Sequence, residues 1–93
     1  MEISAKHIIV HGRVQGVGFR YFVRKAGLER GLTGNVCNCY DGTVGIIVEG
    51  NAAEIAGFLK EVEIGPALSR VERLDISDIT SRGTYDSFLV EDG

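Results

Sequence analysis

The sequence has no tryptophan, a single proline, two cysteines and no surplus of basic residues. Each scarcity excludes something. Lysine and arginine number 10 against 13 aspartates and glutamates, a formal net charge of −3 with histidine neutral. A nucleic-acid surface needs a basic face to neutralise backbone phosphates, so no nucleic-acid partner is expected. One local basic pocket for a small anion remains compatible with that balance. No apolar stretch approaches membrane-spanning length, so no membrane partner is expected either. The two cysteines, Cys37 and Cys39, stand one residue apart. A disulfide between them would close too tight a ring for ordinary geometry, and free thiols fit a reducing compartment. No secretory signal is visible, because Met1 to Lys6 lead straight into a strand-like run. The expected location is the cytoplasm.

What is present is enough for one domain spanning residues 1–93, expected to be monomeric. At 44% hydrophobic and 25% charged residues, the chain can bury a modest core without staples and is not of disordered composition. Lys6 to Val10 reads as a strand, and Gly12, Gly16 and Gly18 punctuate the loop after it. Tyr21 to Arg30 reads as a helix through Phe22, Val23 and Ala26, stopped by Gly31-Leu32. Leu32 to Tyr40 and Thr43 to Glu49 read as strands joined by a hairpin at Asp41-Gly42. Asn51 and Glu54 resemble a capping box opening a second helix. Its apolar stripe is Ile55, Phe58, Leu59 and Val62, and Gly65-Pro66 ends it. Ser69 to Ile79 and Tyr85 to Val90 complete the pattern as strands. The order β-α-β-β-α-β with a short extra strand predicts an α+β, ferredoxin-like sandwich, a mostly antiparallel sheet with two helices on one face. That fold hosts enzymes, carriers and regulatory modules alike, so it does not decide function.

The informative stretch is Gly12-Arg13-Val14-Gln15-Gly16-Val17-Gly18-Phe19-Arg20, between a strand and a helix. Glycines at 16 and 18 let the backbone approach a ligand and turn consecutive amides inward. The following helix adds its positive dipole end and its unpaired N–H groups. Arg20 at the helix entry can grip two phosphate oxygens with a planar fork. The candidate phosphate-binding set is Gln15, Gly16, Val17, Gly18, Phe19 and Arg20. No Lys-Ser or Lys-Thr follows the last glycine, which excludes a Walker loop, and the third glycine of a dinucleotide fingerprint is replaced by Tyr21. The plainer alternative is a glycine-rich connection with a surface arginine; the place of Arg20 at the helix entry favours the anion site over it.

At these residues the chain resembles the acylphosphatase family. The run GRVQGVGFR, Gly12 to Arg20, is similar to that family's first signature, and Gly34, Val36, Asn38, Gly42 and Val44 match its second. The likeness extends through Gly65-Pro66 to Phe88. It implies the ferredoxin-like fold, hydrolysis of acyl phosphates to carboxylate and inorganic phosphate, phosphate binding by Arg20 and water positioning by Asn38. Taken alone, Asn38 reads as a turn asparagine beside the hairpin. No cofactor and no metal are implied. An acyl phosphate has a good leaving group, so charge stabilisation and an aligned water meet the remaining demands. Two positions depart from the pattern: Asn35 stands where the family has an aromatic, and Cys37 where it is often basic. Strand alternation places both on the face opposite Val36 and Asn38. Val36-Cys37-Asn38 also resembles the acylphosphatase-like N-terminal domain of hydrogenase-maturation carbamoyltransferases, which implies carbamoyl phosphate as an alternative substrate. A non-catalytic phosphate-binding regulatory module is the alternative from another class.

The remaining polar residues carry weaker signals. His7 and His11 share one face of the first strand, and Cys37-x-Cys39 is too short for the usual structural zinc spacing. Arg13, Arg24, Lys25 and Arg30 could focus an anion toward the loop, but a solvated helix face explains most of them. Tyr21 could flank the pocket or simply pack.

Overall fold

The computed structural model describes residues 2–91. Its elements run β1 (Ile3–Arg13), α1 (Phe19–Glu29), β2 (Thr33–Asn38), β3 (Val44–Asn51), α2 (Ala52–Ile64), β4 (Arg70–Asp78) and β5 (Phe88–Glu91). The five strands form one sheet in the order β4-β1-β3-β2-β5. β5 lies parallel to β2, and the other neighbours are antiparallel. This is the α+β, ferredoxin-like arrangement that the pattern of elements predicts.

Alternation builds the core. Ile8 stands opposite Ile46 and Val10 opposite Val44, while Val36 stands opposite Ile46. All five are fully buried on the face that the helices cover. α1 contributes Phe19, Val23 and Ala26, and α2 contributes Ile55, Phe58 and Val62, with Leu59 partly buried beside them. Phe19, Phe58 and Phe88 are the largest unexposed side chains, each contributing roughly 2–3 kcal/mol by burial. The Phe58 and Phe88 rings meet at a centroid distance of 5.8 Å, tilted by 44°. Phe88 thus locks the short β5 under both helices.

Local signals decide where the elements stop. α1 ends in paired backbone bonds, Leu32 N to Gly27 O at 2.9 Å and Gly31 N to Leu28 O at 3.1 Å, the closure expected for Gly31-Leu32. Asn51 caps α2, its Oδ1 accepting from the amides of Ala53 and Glu54. Only half of the expected capping box forms, because the Glu54 carboxylate accepts from Arg30 Nη1 instead. Gly12 belongs to β1 rather than to the loop. The register with β4 shifts between His11 and Gly12, and there a Cβ would lie 2.0 Å from the Arg70 carbonyl oxygen. Only glycine allows that approach. The last strand begins at Phe88, three residues later than its apolar pattern suggests, where pairing with Gly34 begins.

Candidate active site

β1 and α1 are joined by residues 14–18, and both ends of that loop are anchored in the core, by Val14 and Phe19. Gly16 has φ 72° and Gly18 has φ 76°. A Cβ at either would meet nothing within 4 Å, so the requirement is torsional and not one of space. Gly18 caps α1, and the first helical bond runs from Phe22 N to Gly18 O at 3.1 Å. Among the described residues, the amides of residues 15 to 19 have no acceptor. They form a run of donors at the positive end of α1. No acidic side chain occupies the first turn of α1, and Arg20 adds a cation where the helix dipole disfavours one. An anion in front of the loop resolves both conflicts. Arg20 is half-buried, and its Nη1 donates to the backbone carbonyl of Glu91 at 2.7 Å, which ties the guanidinium to β5.

Asn38 closes β2, opposite Val44, on the helix-covered face. Its Oδ1 is buried and accepts no hydrogen bond among the described residues. An unsatisfied buried acceptor costs about 1–3 kcal/mol, so its retention points to a ligand or an ordered water. Val14, Gly16, Gly18, Phe19, Arg20, Tyr21 and Asn38 line one cavity of about 110 Å³. The fold therefore brings Arg20 and Asn38, 18 residues apart in sequence, onto the same small space beside the glycine loop. Of the candidate phosphate-binding residues, Gly16, Gly18, Phe19 and Arg20 line it, whereas Gln15 and Val17 do not. Gln15 borders a wider open groove with Asn38, Cys39 and Tyr40. Its amide nitrogen donates to the carbonyls of Cys39 and Thr43, each at 2.8 Å. Val14 also lines the cavity, and its only sequence signal is its place within the glycine-rich run.

The two departures lie on the open face of the sheet, away from Asn38. Asn35 is buried and donates from Nδ2 to Glu91 Oε1 at 2.6 Å. Cys37 and Cys39 both place their sulfurs over Gly45, at 3.8 and 3.4 Å from where its Cβ would stand. Burial pushes the Cys37 thiol up, reinforced by Cys39 and Glu91, so it remains a neutral thiol. His11 pairs with Asp75 through Nε2 at 2.8 Å, and that bond, followed by the one from Arg73, holds the Asp75 carboxyl below its ordinary range. Arg30 bridges to α2, with Nε on Glu61 at 2.8 Å and Nη1 on Glu54 at 3.1 Å. Arg24 Nε donates to the Phe88 carbonyl at 3.1 Å. Of the basic residues in this third of the chain, Arg20 is the one that lines the cavity. No helix among the described residues is long and apolar enough to cross a membrane.

Known proteins share this architecture. The acylphosphatase family model matches residues 6–90. The chain is 45% identical to the acylphosphatase of Geobacillus kaustophilus (strain HTA426) over 84 residues, 90% of this chain and 89% of that one. It superposes on the crystal structure of acylphosphatase from Bacillus subtilis with a TM-score of 0.91 at 38% identity, covering 95% of this chain and 98% of that one. It also matches full-length HypF in a phosphate- and nucleotide-bound form, with a TM-score of 0.85 at 30% identity, over 97% of this chain but 12% of HypF.

Proposed function

The chain belongs to the acylphosphatase family, and from that premise we propose that the cavity between the glycine loop and Asn38 is where its reaction takes place. As a member of that family it hydrolyses acyl phosphates, the mixed anhydrides of a carboxylic acid and phosphate. The phosphoryl group lies against the amides of residues 15–19, and Arg20 holds two of its oxygens. Asn38 accepts a hydrogen bond from a water and aims it at phosphorus, opposite the leaving carboxylate. As the new O–P bond forms, the bond from phosphorus to the acyl oxygen breaks and its electron pair leaves on the carboxylate. A carboxamide is no base, so the water's proton passes to a phosphoryl oxygen. Amides and guanidinium meet the charge that develops on the equatorial oxygens, so the scheme routes no step through a metal.

The observation that carries this reading is the buried Oδ1 of Asn38, without a donor among the described residues, on the same cavity as Arg20. An acceptor held there without a donor suits a water that arrives with the substrate. Both groups come from one chain, so a monomer suffices. The unpaired Cys37 and Cys39 support a cytoplasmic setting. Turnover of benzoyl phosphate by Asn38→Ala, measured beside inhibition by inorganic phosphate, tests the roles. The expected result is loss of kcat with phosphate inhibition retained; near-full kcat removes the water-positioning role. A chelator is expected to leave the rate unchanged.

Carbamoyl phosphate is a second candidate substrate, since it presents the same phosphoryl group. The match to HypF over nearly all of this chain favours including it. Comparing kcat/KM for acetyl and carbamoyl phosphate separates the two.

A further inference from the structure

We infer that Gln15 is a positioning residue, whose side chain sets the place of the Asn38 carboxamide relative to the phosphate loop. This inference rests on the role proposed for Asn38. The loop at residues 14–18 and the hairpin at residues 39–43 come from distant parts of the chain. Gln15 crosses between them. Its Nε2 carries two hydrogens, and each has a carbonyl: Cys39 O at 2.8 Å and Thr43 O at 2.8 Å. Among the described residues no other hydrogen bond joins this loop to this hairpin. The two carbonyls belong to residues that pair with each other, Cys39 N donating to Thr43 O at 2.9 Å. Gln15 therefore grips the hairpin at its base, one residue beyond Asn38, where β2 has already left the sheet.

The arrangement assigns separate duties to one residue. The backbone of Gln15 belongs to the loop that faces the anion, while its side chain does not line the 110 Å³ cavity and instead fixes the element that carries the water-positioning group. Attack on phosphorus requires reacting atoms about 3–3.5 Å apart and in line. A hairpin free to shift by a fraction of an ångström loses that alignment without disturbing the amides that bind phosphate. Loss of the Gln15 side chain should therefore fall on kcat and spare phosphate affinity. A carboxylate at the same place would set bare oxygens against two carbonyls, and only its protonated form could donate to one of them.

A double-mutant cycle with benzoyl phosphate tests this, using wild type, Gln15→Ala, Asn38→Ala and the double variant. Gln15→Ala is expected to lower kcat by about tenfold to a hundredfold, with inhibition by inorganic phosphate unchanged. In the Asn38→Ala background the same change should cost nothing further. An equal loss in both backgrounds, or a loss that falls on phosphate inhibition, overturns the inference. Gln15→Glu provides the second reading, needed if Gln15→Ala fails to fold or the double variant is too slow to measure. Its rate relative to wild type should rise as pH falls and the carboxyl protonates; a flat ratio contradicts the bonding scheme. If Asn38→Ala keeps its rate, the role of Asn38 itself fails. If Asn38→Ala is inactive and Gln15→Ala is fully active, the positioning role alone fails.

Discussion

Two asparagines three residues apart on β2 have opposite surroundings. Asn35 faces the open side of the sheet, is nearly buried, and spends its carboxamide on Glu91 at 2.6 Å. Asn38 faces the helix side and keeps a buried oxygen with no donor among the described residues. The first is a polar group satisfied within the fold. The second is a polar group that the fold leaves wanting, next to a loop of amides that also lack partners. A strand can thus present a satisfied carboxamide on one face and an unsatisfied one on the other by alternation alone.

Substitutions sharpen this contrast, and the largest effect is expected just across the cavity from Asn38. Arg20→Ala removes the one guanidinium that lines the cavity among the described residues, and both turnover and phosphate binding should disappear in kinetic and calorimetric assays. Arg20→Lys should recover little, because a point charge cannot reproduce a two-oxygen fork. Asn38→Ala should lose most of its turnover while the melting temperature holds or rises, since deleting an orphaned buried acceptor relieves about 1 kcal/mol or more. Asn35→Ala should show the reverse, with turnover close to wild type and a stability loss of about 1 kcal/mol in denaturant melts. If Asn35→Ala lost activity while Asn38→Ala lost stability, the division of labour on β2 would be wrong.

The smallest effect concerns acid. Asp41 Oδ1 accepts from the Thr43 hydroxyl at 2.6 Å and the Thr43 amide at 3.0 Å, and these bonds, the hydroxyl first, hold its carboxyl below the ordinary range. A carboxyl lowered in the folded state contributes stability above its unfolded pKa and loses it as pH falls through the folded value. The hairpin should therefore loosen only below about pH 4. Melting temperatures measured down that range should fall less steeply in Thr43→Val than in wild type. Equal slopes would remove Asp41 from the account of the hairpin.

Much of this was legible in the residues because the signals are local. Val44, Ile46 and Val48 alternate, Ile55, Phe58 and Val62 follow the helical period, and Asn51 precedes a helix start. The glycine loop and Arg20 read as an anion site from torsional need and helix electrostatics, and Asn38 was singled out by its motif. What stayed hidden depends on partners far away in sequence. Gly12 looked like a loop glycine because nothing near it signals the Arg70 carbonyl that crowds it. Asn35 departs from the family pattern, and nothing near it in sequence signals Glu91, 56 residues on, as its partner. By sequence Arg30 groups with the arginines that could draw an anion, yet it clamps two glutamates of α2. The Gln15 side chain gave no hint of its destination, since a glutamine can donate to any carbonyl within reach.

A crystal of the wild-type protein soaked with inorganic phosphate tests the central claim most directly. The anion should sit against the amides of residues 15–19 with the Arg20 guanidinium on two of its oxygens, and a water should donate to Asn38 Oδ1 while lying in line with phosphorus. Phosphate bound elsewhere, or an Asn38 oxygen that stays dry and unpartnered with the anion in place, would contradict it.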